Sequence, residues 1–320
     1  MRCLVTGVAG FVGSHLAERL LSDGHEVYGI DAFTDYYSRQ IKERNLEGLG
    51  SWKSFTFVED DLLHIDLLPL LEGIDWVFHE AGQPGVRASW GEDFSWYVKW
   101  NVLATQRLLE AVLHAKSVRR FVNASSSSVY GDTTALPVTE TVAPQPVSPY
   151  GVTKLAAEHL CTLYHRNFGL PTASLRYFTV YGPRQRPDMA FHRFCKAVID
   201  HKSIRVYGDG QQTRDFTYIS DVVEANIRAA TANAAIGQVM NIAGGSRVTV
   251  RHVIDLLQEI TGSAISVDFD EKQHGDVRDT FADTSFAERL IGYHPLVSLY
   301  EGLTNEFEYI VTLSQYMQTY

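Results

Sequence analysis

The sequence predicts an α/β fold in which a doubly wound parallel sheet carries helices on both faces and a smaller α/β lobe is attached. Short runs rich in β-branched residues alternate with segments of helical period through the first half of the chain. These runs are continuously apolar, which is typical of strands that are buried on both faces. With 320 residues, 45% of them hydrophobic, the chain is long enough for two lobes or one large unit.

The apolar runs give the order of the elements. The predicted strands are Cys3–Thr6, Glu26–Ile30, Phe55–Val58, Asp75–His79, Arg120–Ala124, Thr172–Tyr177 and Val239–Ile242. The predicted helices are Gly13–Ser22, Trp96–Ala115, Pro149–Phe168 and Asp221–Thr231. After Gly182 the chain becomes rich in turn residues, which indicates a second unit. We therefore assign 1–179, with about 221–244, to the main sheet, and 180–220 with 245–320 to the smaller lobe.

Composition excludes several classes of partner. The 28 basic and 38 acidic residues give a net charge of −10, which opposes binding to nucleic acid or to an anionic membrane. No apolar run approaches the roughly 18 residues of a membrane span, and the chain enters a strand pattern at once rather than a secretory leader. Cys3, Cys161 and Cys195 have no metal-like spacing and are expected to be free thiols in a reducing cytoplasm. No metal is expected.

A glycine-rich loop follows the first predicted strand. Gly7, Gly10 and Gly13 have the GxxGxxG spacing and lead into a helix predicted from Ser14. Glycine allows a tight turn and a close approach to a pyrophosphate, which then binds at the positive end of the helix. Asp31 ends the second strand, where a carboxylate accepts hydrogen bonds from the adenosine ribose and repels a 2′-phosphate. The pattern predicts a Rossmann-type site for NAD rather than NADP, although a turn role for Asp31 remains open.

A tyrosine and a lysine begin the third predicted helix. Ser148 is expected to cap this helix and Pro149 to be its first residue. Tyr150 and Lys154 are four residues apart and therefore lie on one face. A free phenol has a pKa of about 10, and a nearby ammonium and a positive nicotinamide ring favour its phenolate as a base. The alternative is a buried tyrosine above a solvated lysine.

Four serines, residues 125–128, leave the preceding strand. They could serve only as turn residues. Beside a basic tyrosine, one of them is expected to link the phenolate to a substrate hydroxyl. Ser126 is predicted to be this link, with Ser127 and Ser128 close by.

Together these motifs resemble the extended short-chain dehydrogenase/reductase family of nucleotide-sugar epimerases and dehydratases over essentially the whole chain. Within that family the chain is most similar to UDP-glucuronate 4-epimerases. The segments that carry the closer resemblance are 35–37 (DYY), 83–87 (QPGVR) and 181–190 (YGPRQRPDMA). The resemblance implies NAD as cofactor, a UDP-sugar as substrate, and a homodimer formed through the helices near 96–115 and 149–168. The apolar faces of these two helices could equally belong to the core, since periodicity alone does not separate the two.

The site residues follow from these motifs and from the resemblance. The predicted cofactor residues are Gly7, Gly10, Phe11, Val12, Gly13, Asp31, Asp61, Leu62, Ala81, Asn101, Ser125, Tyr150, Lys154, Tyr177 and Val180. Asp61 is expected at the adenine edge, although Asp60 is equally polar. The predicted substrate residues are Arg87, Ser126, Ser127, Ser128, Tyr150, Thr179, Arg186, Tyr207, Gln212, Arg214 and Asp276.

Within the substrate set, each residue has an expected partner. Arg87 and Arg214 are candidates for the diphosphate, because guanidinium forks match phosphate oxygens. Tyr207 is expected near uracil and Asp276 at the uridine ribose. Arg186 is a candidate for a sugar carboxylate, or else a surface or dimer arginine.

Two positions depart from the family pattern. Many relatives carry an arginine just before Gly275, where this chain has Gln273-His274, so the second phosphate contact is expected to fall to Arg87. Thr179 stands where neutral-sugar relatives often carry asparagine, and it leaves room for a larger substituent at C5 of the sugar.

The reaction implied by the resemblance is inversion at C4 of UDP-glucuronate. Tyr150, through Ser126, removes the 4-hydroxyl proton while the C4 hydride passes to NAD⁺; the 4-keto sugar rotates and the hydride returns to its other face. A 4-keto sugar with a C5 carboxylate is a β-keto acid, so UDP-glucuronate decarboxylase is a close alternative. A neutral UDP-hexose 4-epimerase and a non-catalytic NAD(H) sensor are further alternatives.

Overall fold

The computed structural model describes residues 1–319 and confirms the predicted α/β class. The strands are β1 (Arg2–Thr6), β2 (Glu26–Asp31), β3 (Phe55–Glu59), β4 (Trp76–His79), β5 (Arg120–Ser126), β6 (Thr172–Tyr177), β7 (Val180–Tyr181), β8 (Ile204–Tyr207), β9 (Thr213–Asp215), β10 (Thr217–Tyr218), β11 (Val239–Ile242), β12 (Arg247–Thr249) and β13 (Val267–Asp270). Seven of them form a parallel sheet in the order β11-β6-β5-β4-β1-β2-β3. This order is the one expected of a doubly wound sheet.

Helices cover both faces of this sheet and build most of the smaller lobe. The α-helices are α1 (Phe11–Ser22), α2 (Arg39–Glu47), α3 (Leu67–Leu70), α4 (Phe94–Tyr97), α5 (Ala104–His114), α6 (Pro149–Phe168), α7 (Ala190–Ile199), α8 (Ile219–Thr231), α9 (Val250–Thr261), α10 (Ser285–Ile291) and α11 (Leu299–Thr319). Short 3₁₀ turns lie at Leu49–Ser51, Arg87–Ser89, Gly91–Asp93, Ser127–Val129 and Asn233–Ala235. None of the helices within residues 1–319 combines the length and apolar character that crossing a bilayer requires.

Two predicted helices differ from the structure. The first begins at Phe11 rather than at Gly13 or Ser14, because Gly10 is its N-cap and Gly13 fits inside the first turn. The predicted helix Trp96–Ala115 is interrupted by a π-helical segment, Val98–Leu103. The π segment adds a residue to one turn and so changes which side chains face the sheet.

The smaller lobe is assembled from three two-stranded sheets, β7 with β10, β9 with β12 and β8 with β13. Helix α11 packs against α7. As expected, α8 and β11 return to the main sheet, where β11 pairs with β6. The last residue assigned to the lobe, Tyr320, lies outside the described residues.

A capped helix holds the predicted tyrosine and lysine against the sheet. Ser148 accepts a hydrogen bond from the Gly151 backbone N–H at 3.1 Å, and Pro149 occupies the first helical position, as predicted. Gly169 ends the helix in the left-handed conformation, with φ of 73°. The sequence therefore sets both ends of α6 by ordinary capping chemistry.

An ion pair between α6 and β6 is almost completely buried. The Arg176 guanidinium donates to both carboxylate oxygens of Glu158 at 2.9 and 2.6 Å, and the two side chains are only 5% and 2% exposed. Ser125 on β5 donates to Glu158 at 2.7 Å. Arg176 also donates to the Tyr130 hydroxyl, which in turn donates to Asn241 on β11. One polar network therefore joins α6 to three neighbouring strands.

Replacing Glu158 with alanine should be strongly destabilising, because the Arg176 guanidinium would stay buried without its carboxylate. We expect the free energy of unfolding to fall by about 3–5 kcal/mol, measured by urea denaturation. Glu43→Ala is the control, since it removes only an exposed partner of Arg39 and should cost less than about 1 kcal/mol. Equal losses in the two variants would contradict a special role for the buried pair.

Candidate active site

A cavity of about 970 Å³ lies at the carboxyl ends of the parallel strands, between the main sheet and the smaller lobe. This edge is where open α/β sheets bind ligands. The volume is at the upper end of the range of about 300–1,000 Å³ that small-molecule pockets span.

With one exception, the predicted site residues line this cavity. They are Gly7, Gly10, Phe11, Val12, Gly13, Asp31, Asp61, Leu62, Ala81, Arg87, Ser125, Ser126, Ser127, Ser128, Tyr150, Lys154, Tyr177, Thr179, Val180, Arg186, Tyr207, Gln212, Arg214 and Asp276. Residues far apart in the sequence are therefore brought to one place.

Asn101 is the exception. Its amide nitrogen donates to the Gln83 carbonyl and to Thr153, both at 3.0 Å, and its oxygen accepts from the Gln83 N–H at 2.6 Å. The side chain is buried in the π-helical segment and is not part of the cavity lining. Its hydrogen bonds fix the loop that carries Gln83, which does line the cavity. Its contact with a cofactor stays a prediction.

The glycine loop before α1 packs closely against the segment that follows β4. Gly7 has φ of +68°, and a Cβ there would lie 2.8 Å from the Ala81 nitrogen. A Cβ on Gly13 would collide with the Gly7 carbonyl oxygen. No side chain in residues 1–319 caps the first turn of α1, so its N–H groups are left for a ligand at the cavity wall. This end of the cavity fits a pyrophosphate.

The carboxylate of Asp31 is held by backbone. Its two oxygens accept hydrogen bonds from the N–H groups of Ala9 at 3.1 Å and Phe33 at 2.9 Å. Burial raises the pKa of Asp31, opposed by these two bonds and by the nearby Lys42 ammonium. Each oxygen retains a second lone pair, so the group can still accept from two ribose hydroxyls. The turn role and the ligand role are compatible at this position.

At the far end of the cavity, an indole contacts the predicted adenine residue. Asp61 accepts from the Leu63 N–H at 2.9 Å and from Trp100 Nε1 at 3.2 Å, whereas Asp60 only caps the Asp61 N–H. Trp100 itself lines the cavity and stacks on Trp96, with ring centroids 5.0 Å apart. Sequence reasoning missed Trp100, because it lies in the π-helical segment where the regular helical spacing fails.

Tyr150 and Lys154 reach the cavity from the first turns of α6. The Lys154 ammonium donates to the Ala124 carbonyl at 2.7 Å, which places it at the end of β5. The Tyr150 ring meets the Tyr97 ring edge-on at 6.2 Å. Ser126 accepts from the Ser128 N–H at 3.2 Å, so the serine segment turns away from the strand beside Tyr150. The arrangement brings a phenol, an ammonium and a serine hydroxyl together in one cavity.

The smaller lobe contributes Tyr207, Arg214 and Asp276, and Arg87 comes from the main-sheet part of the chain. Arg87 pairs with Asp276 at 2.8 Å and lies 4.2 Å from the centroid of the Tyr207 ring. Arg214 donates to the carbonyls of Val277 at 2.9 Å and Thr213 at 2.8 Å, and burial lowers its pKa. The residues predicted to bind a diphosphate and a ribose thus contact one another across the cleft.

Arg186 is also in the cavity wall. Its guanidinium donates to both oxygens of Asp188 at 3.0 Å, and the Tyr36 hydroxyl donates to Asp188 at 3.2 Å. The Arg186 side chain is 20% exposed. Arg186 therefore lines the cavity, and its contact with a sugar carboxylate stays a prediction.

Glu80 and Lys42 are among the other lining residues that were not anticipated. Glu80 follows β4, and Lys42 on α2 donates to the Thr34 carbonyl. The sequence offers no periodic signal for either, since their roles depend on contacts with distant segments. Within residues 1–319, no group of three or more His, Cys, Asp and Glu side chains is arranged to hold a metal ion.

Comparison with known proteins gives consistent matches over the chain. Residues 3–243 match the NAD dependent epimerase/dehydratase family. YtcB of Bacillus subtilis, named as an uncharacterized UDP-glucose epimerase, is 48% identical over 316 residues, which is 98% of this chain and 99% of YtcB. The UDP-glucuronate 4-epimerase of Thermodesulfobacterium geofontis is 36% identical, covering 94% of this chain and 93% of its own length.

Among solved structures, the UDP-glucuronic acid 4-epimerase of Bacillus cereus, in complex with UDP-glucuronic acid and NAD, superimposes with a TM-score of 0.95. The two sequences are 46% identical, and the match covers 98% of this chain and all of the other.

Proposed function

The chain belongs to the NAD dependent epimerase/dehydratase family, and from that premise we propose that it is an NAD-dependent UDP-glucuronate 4-epimerase. The observation that carries the proposal is that one cavity contains Tyr150, Lys154 and Arg186. This supplies a base and a cation for a sugar carboxylate, in a chain 46% identical to an epimerase that binds UDP-glucuronic acid and NAD.

The main sheet holds the cofactor in this proposal. The N-terminus of α1 binds the pyrophosphate, Asp31 the adenosine ribose, and Asp61 with Leu62 the adenine. Lys154 donates to the nicotinamide ribose, near Ala81, Ser125, Tyr177 and Val180. When bound, NAD accepts the hydride from C4 of the sugar and returns it, so the reaction has no net redox change.

The proton is handled by the residues of α6 and β5. Tyr150 takes the proton of the sugar 4-hydroxyl through Ser126 and later returns it. The Lys154 ammonium, held on the Ala124 carbonyl, stabilises the Tyr150 phenolate by its charge.

The smaller lobe holds the nucleotide. Residues 180–220 and 245–320 supply most of this part, while 1–179 with about 221–244 forms the cofactor domain. Arg87 and Arg214 bind the diphosphate, Tyr207 packs near uracil with Gln212 behind it, and Asp276 accepts from the uridine ribose. Arg87 and Asp276 form an ion pair at 2.8 Å, so their contacts with phosphate and ribose replace this pair.

The sugar carboxylate is held by Arg186, Thr179, Ser127 and Ser128. This hold keeps the C5 carboxylate from aligning with the C4 carbonyl π system, the geometry in which a β-keto acid loses CO₂. The same contacts therefore distinguish an epimerase from a decarboxylase.

Incubation of the purified chain with UDP-glucuronate tests the proposal directly. We expect a mixture of UDP-glucuronate and UDP-galacturonate without CO₂, quantified by liquid chromatography. Tyr150→Phe should lower kcat by about 10²–10⁴-fold, because the proton acceptor is lost. Stoichiometric CO₂ with a UDP-pentose product would contradict the proposal and favour the decarboxylase.

A neutral UDP-hexose 4-epimerase is the second candidate, since YtcB carries the name of a UDP-glucose epimerase. The two candidates differ at Arg186, which a neutral hexose does not need.

Arg186→Ala should lower kcat/KM for UDP-glucuronate about 10–100-fold, which corresponds to a lost hydrogen bond to a charged group. Turnover of UDP-glucose by the same variant should not fall, which makes it the internal control. Arg186→Lys keeps the charge but loses the forked guanidinium, so its kcat/KM for UDP-glucuronate should lie between those of the unaltered enzyme and Arg186→Ala. If UDP-glucose is the better substrate of the unaltered enzyme, and Arg186→Ala leaves UDP-glucuronate turnover intact, the second candidate is correct.

We further propose a homodimer formed through α5 and α6. Val152 and Leu163 lie three turns apart on α6 and are exposed, as are Leu103 before α5 and Phe168 at the end of α6. Leu163 is 53% exposed. A second copy of these two helices would cover this apolar surface.

The cytoplasm is the proposed location. Cys3, Cys161 and Cys195 are all buried and unpaired. Free thiols are typical of proteins in a reducing compartment.

Size-exclusion chromatography of a cytosolic extract from cells that make the chain tests location and assembly together. We expect the chain in this fraction at about twice its mass of 35.9 kDa. Leu163→Glu should shift it to the monomer, whereas Leu296→Glu, at a position 83% exposed in the loop before α11, should not. A monomeric unaltered chain would contradict the dimer, and its absence from the cytosolic fraction would contradict the location.

A further inference from the structure

A carboxyl group that the proposed reaction does not use lies in the wall of the cavity. Glu80 follows β4 and accepts a hydrogen bond from the Tyr177 hydroxyl at 2.9 Å. The Tyr177 hydroxyl in turn accepts from the Asn226 amide at 2.8 Å. The phenol at the end of β6 and the amide on α8 therefore hold the carboxyl in one orientation.

The charged group that acts on Glu80 is Lys154 of α6. The loop after Glu80 is close to this ammonium, since a Cβ on Gly82 would lie 3.7 Å from Lys154 Nζ. Glu80 is therefore in the part of the cavity where Lys154 lies.

The other groups around Glu80 are uncharged. Burial keeps the Tyr177 phenol neutral by raising its pKa well above 10, and Asn226 has no charge. His79, the preceding residue, hydrogen-bonds to Thr6 and Thr105, and burial lowers its pKa to about 3. Lys154 is thus the charged side chain that acts on Glu80.

The nicotinamide ring of NAD is positively charged when oxidised and neutral when reduced. A fixed cation such as Lys154 favours the reduced form by Coulomb repulsion, and a fixed anion favours the oxidised form. We propose that the Glu80 carboxylate, held by Tyr177 beside Lys154, biases the bound cofactor toward its oxidised form. This inference rests on the proposed function, because it requires NAD with its nicotinamide at the Lys154 end.

Such a bias has a consequence for the reaction. A more stable oxidised cofactor favours return of the hydride to the 4-keto sugar, so the ketone is short-lived. The β-keto acid then has less time to lose CO₂. Glu80 thereby acts on the outcome through the cofactor, as a positioning charge that need not touch the sugar.

The bias should depend on pH. Burial raises the pKa of Glu80 to about 7, although the Tyr177 hydrogen bond and Lys154 oppose the shift. Above this pKa the carboxylate is charged and the bias is present; below it the group is neutral and the bias is lost.

The test is a redox titration of the holoenzyme without sugar, followed at 340 nm against a dye of known potential. At pH 8 we expect Glu80→Gln to lower the ratio of oxidised to reduced cofactor at a fixed potential by about tenfold, since a nearby full charge is removed. Glutamine can still accept from Tyr177, so a structural role alone would leave the ratio unchanged. Glu80→Asp keeps the charge and should restore most of the ratio.

The unaltered holoenzyme provides an independent measurement. Between pH 6 and pH 8 its ratio should rise beyond the pH dependence of free NAD, and this excess should be absent from Glu80→Gln. A holoenzyme that contains NAD and turns over UDP-glucuronate, but shows neither the excess nor a difference between variants, overturns the role of Glu80 alone. A purified chain that binds no NAD overturns the proposed function as well.

Discussion

The buried ion pair between Glu158 on α6 and Arg176 on β6 determines how the helix with Tyr150 and Lys154 meets the sheet. Charges removed from water require partners with good geometry, so this pair tolerates little sliding between helix and strand. Ser125 on β5 donates to the same carboxylate, and its neighbour Ser126 extends into the cavity. Phenol, ammonium and serine hydroxyl are therefore held together by a polar contact beneath the cavity floor.

The features that the sequence predicts well are those set by local chemistry. The parallel strands are continuous apolar runs, and Ser148 and Pro149 begin α6 by capping, so both are visible without tertiary information. The start of α1 at Phe11 is not visible in the sequence, because Gly13 lies in the first turn and approaches the Gly7 carbonyl across the loop. The π-helical segment is not visible either, because helical periodicity predicts a regular α-helix there. Asn101 lies in that segment and hydrogen-bonds to Gln83.

The same distinction applies to the candidate site. Nearly all the predicted residues line one cavity, because motifs at the ends of parallel strands converge at one edge of the sheet. What the motifs omit are partners from distant segments. Asp188 and Tyr36 hold Arg186 in place. Glu80 accepts a hydrogen bond from Tyr177 and lies near the Lys154 charge. No spacing rule relates these positions, since only the folded chain brings them within a few ångströms of one another.

The contact between Arg87 and Asp276 has a consequence for the whole catalytic cycle. The two side chains neutralise each other across 189 positions of sequence. If both bind the sugar nucleotide as proposed, the ligand replaces one set of contacts by another, and only the difference between them contributes to its affinity. The arginine and the aspartate can pair again when the ligand leaves. In an interconversion that runs in both directions, the same exchange applies to either epimer.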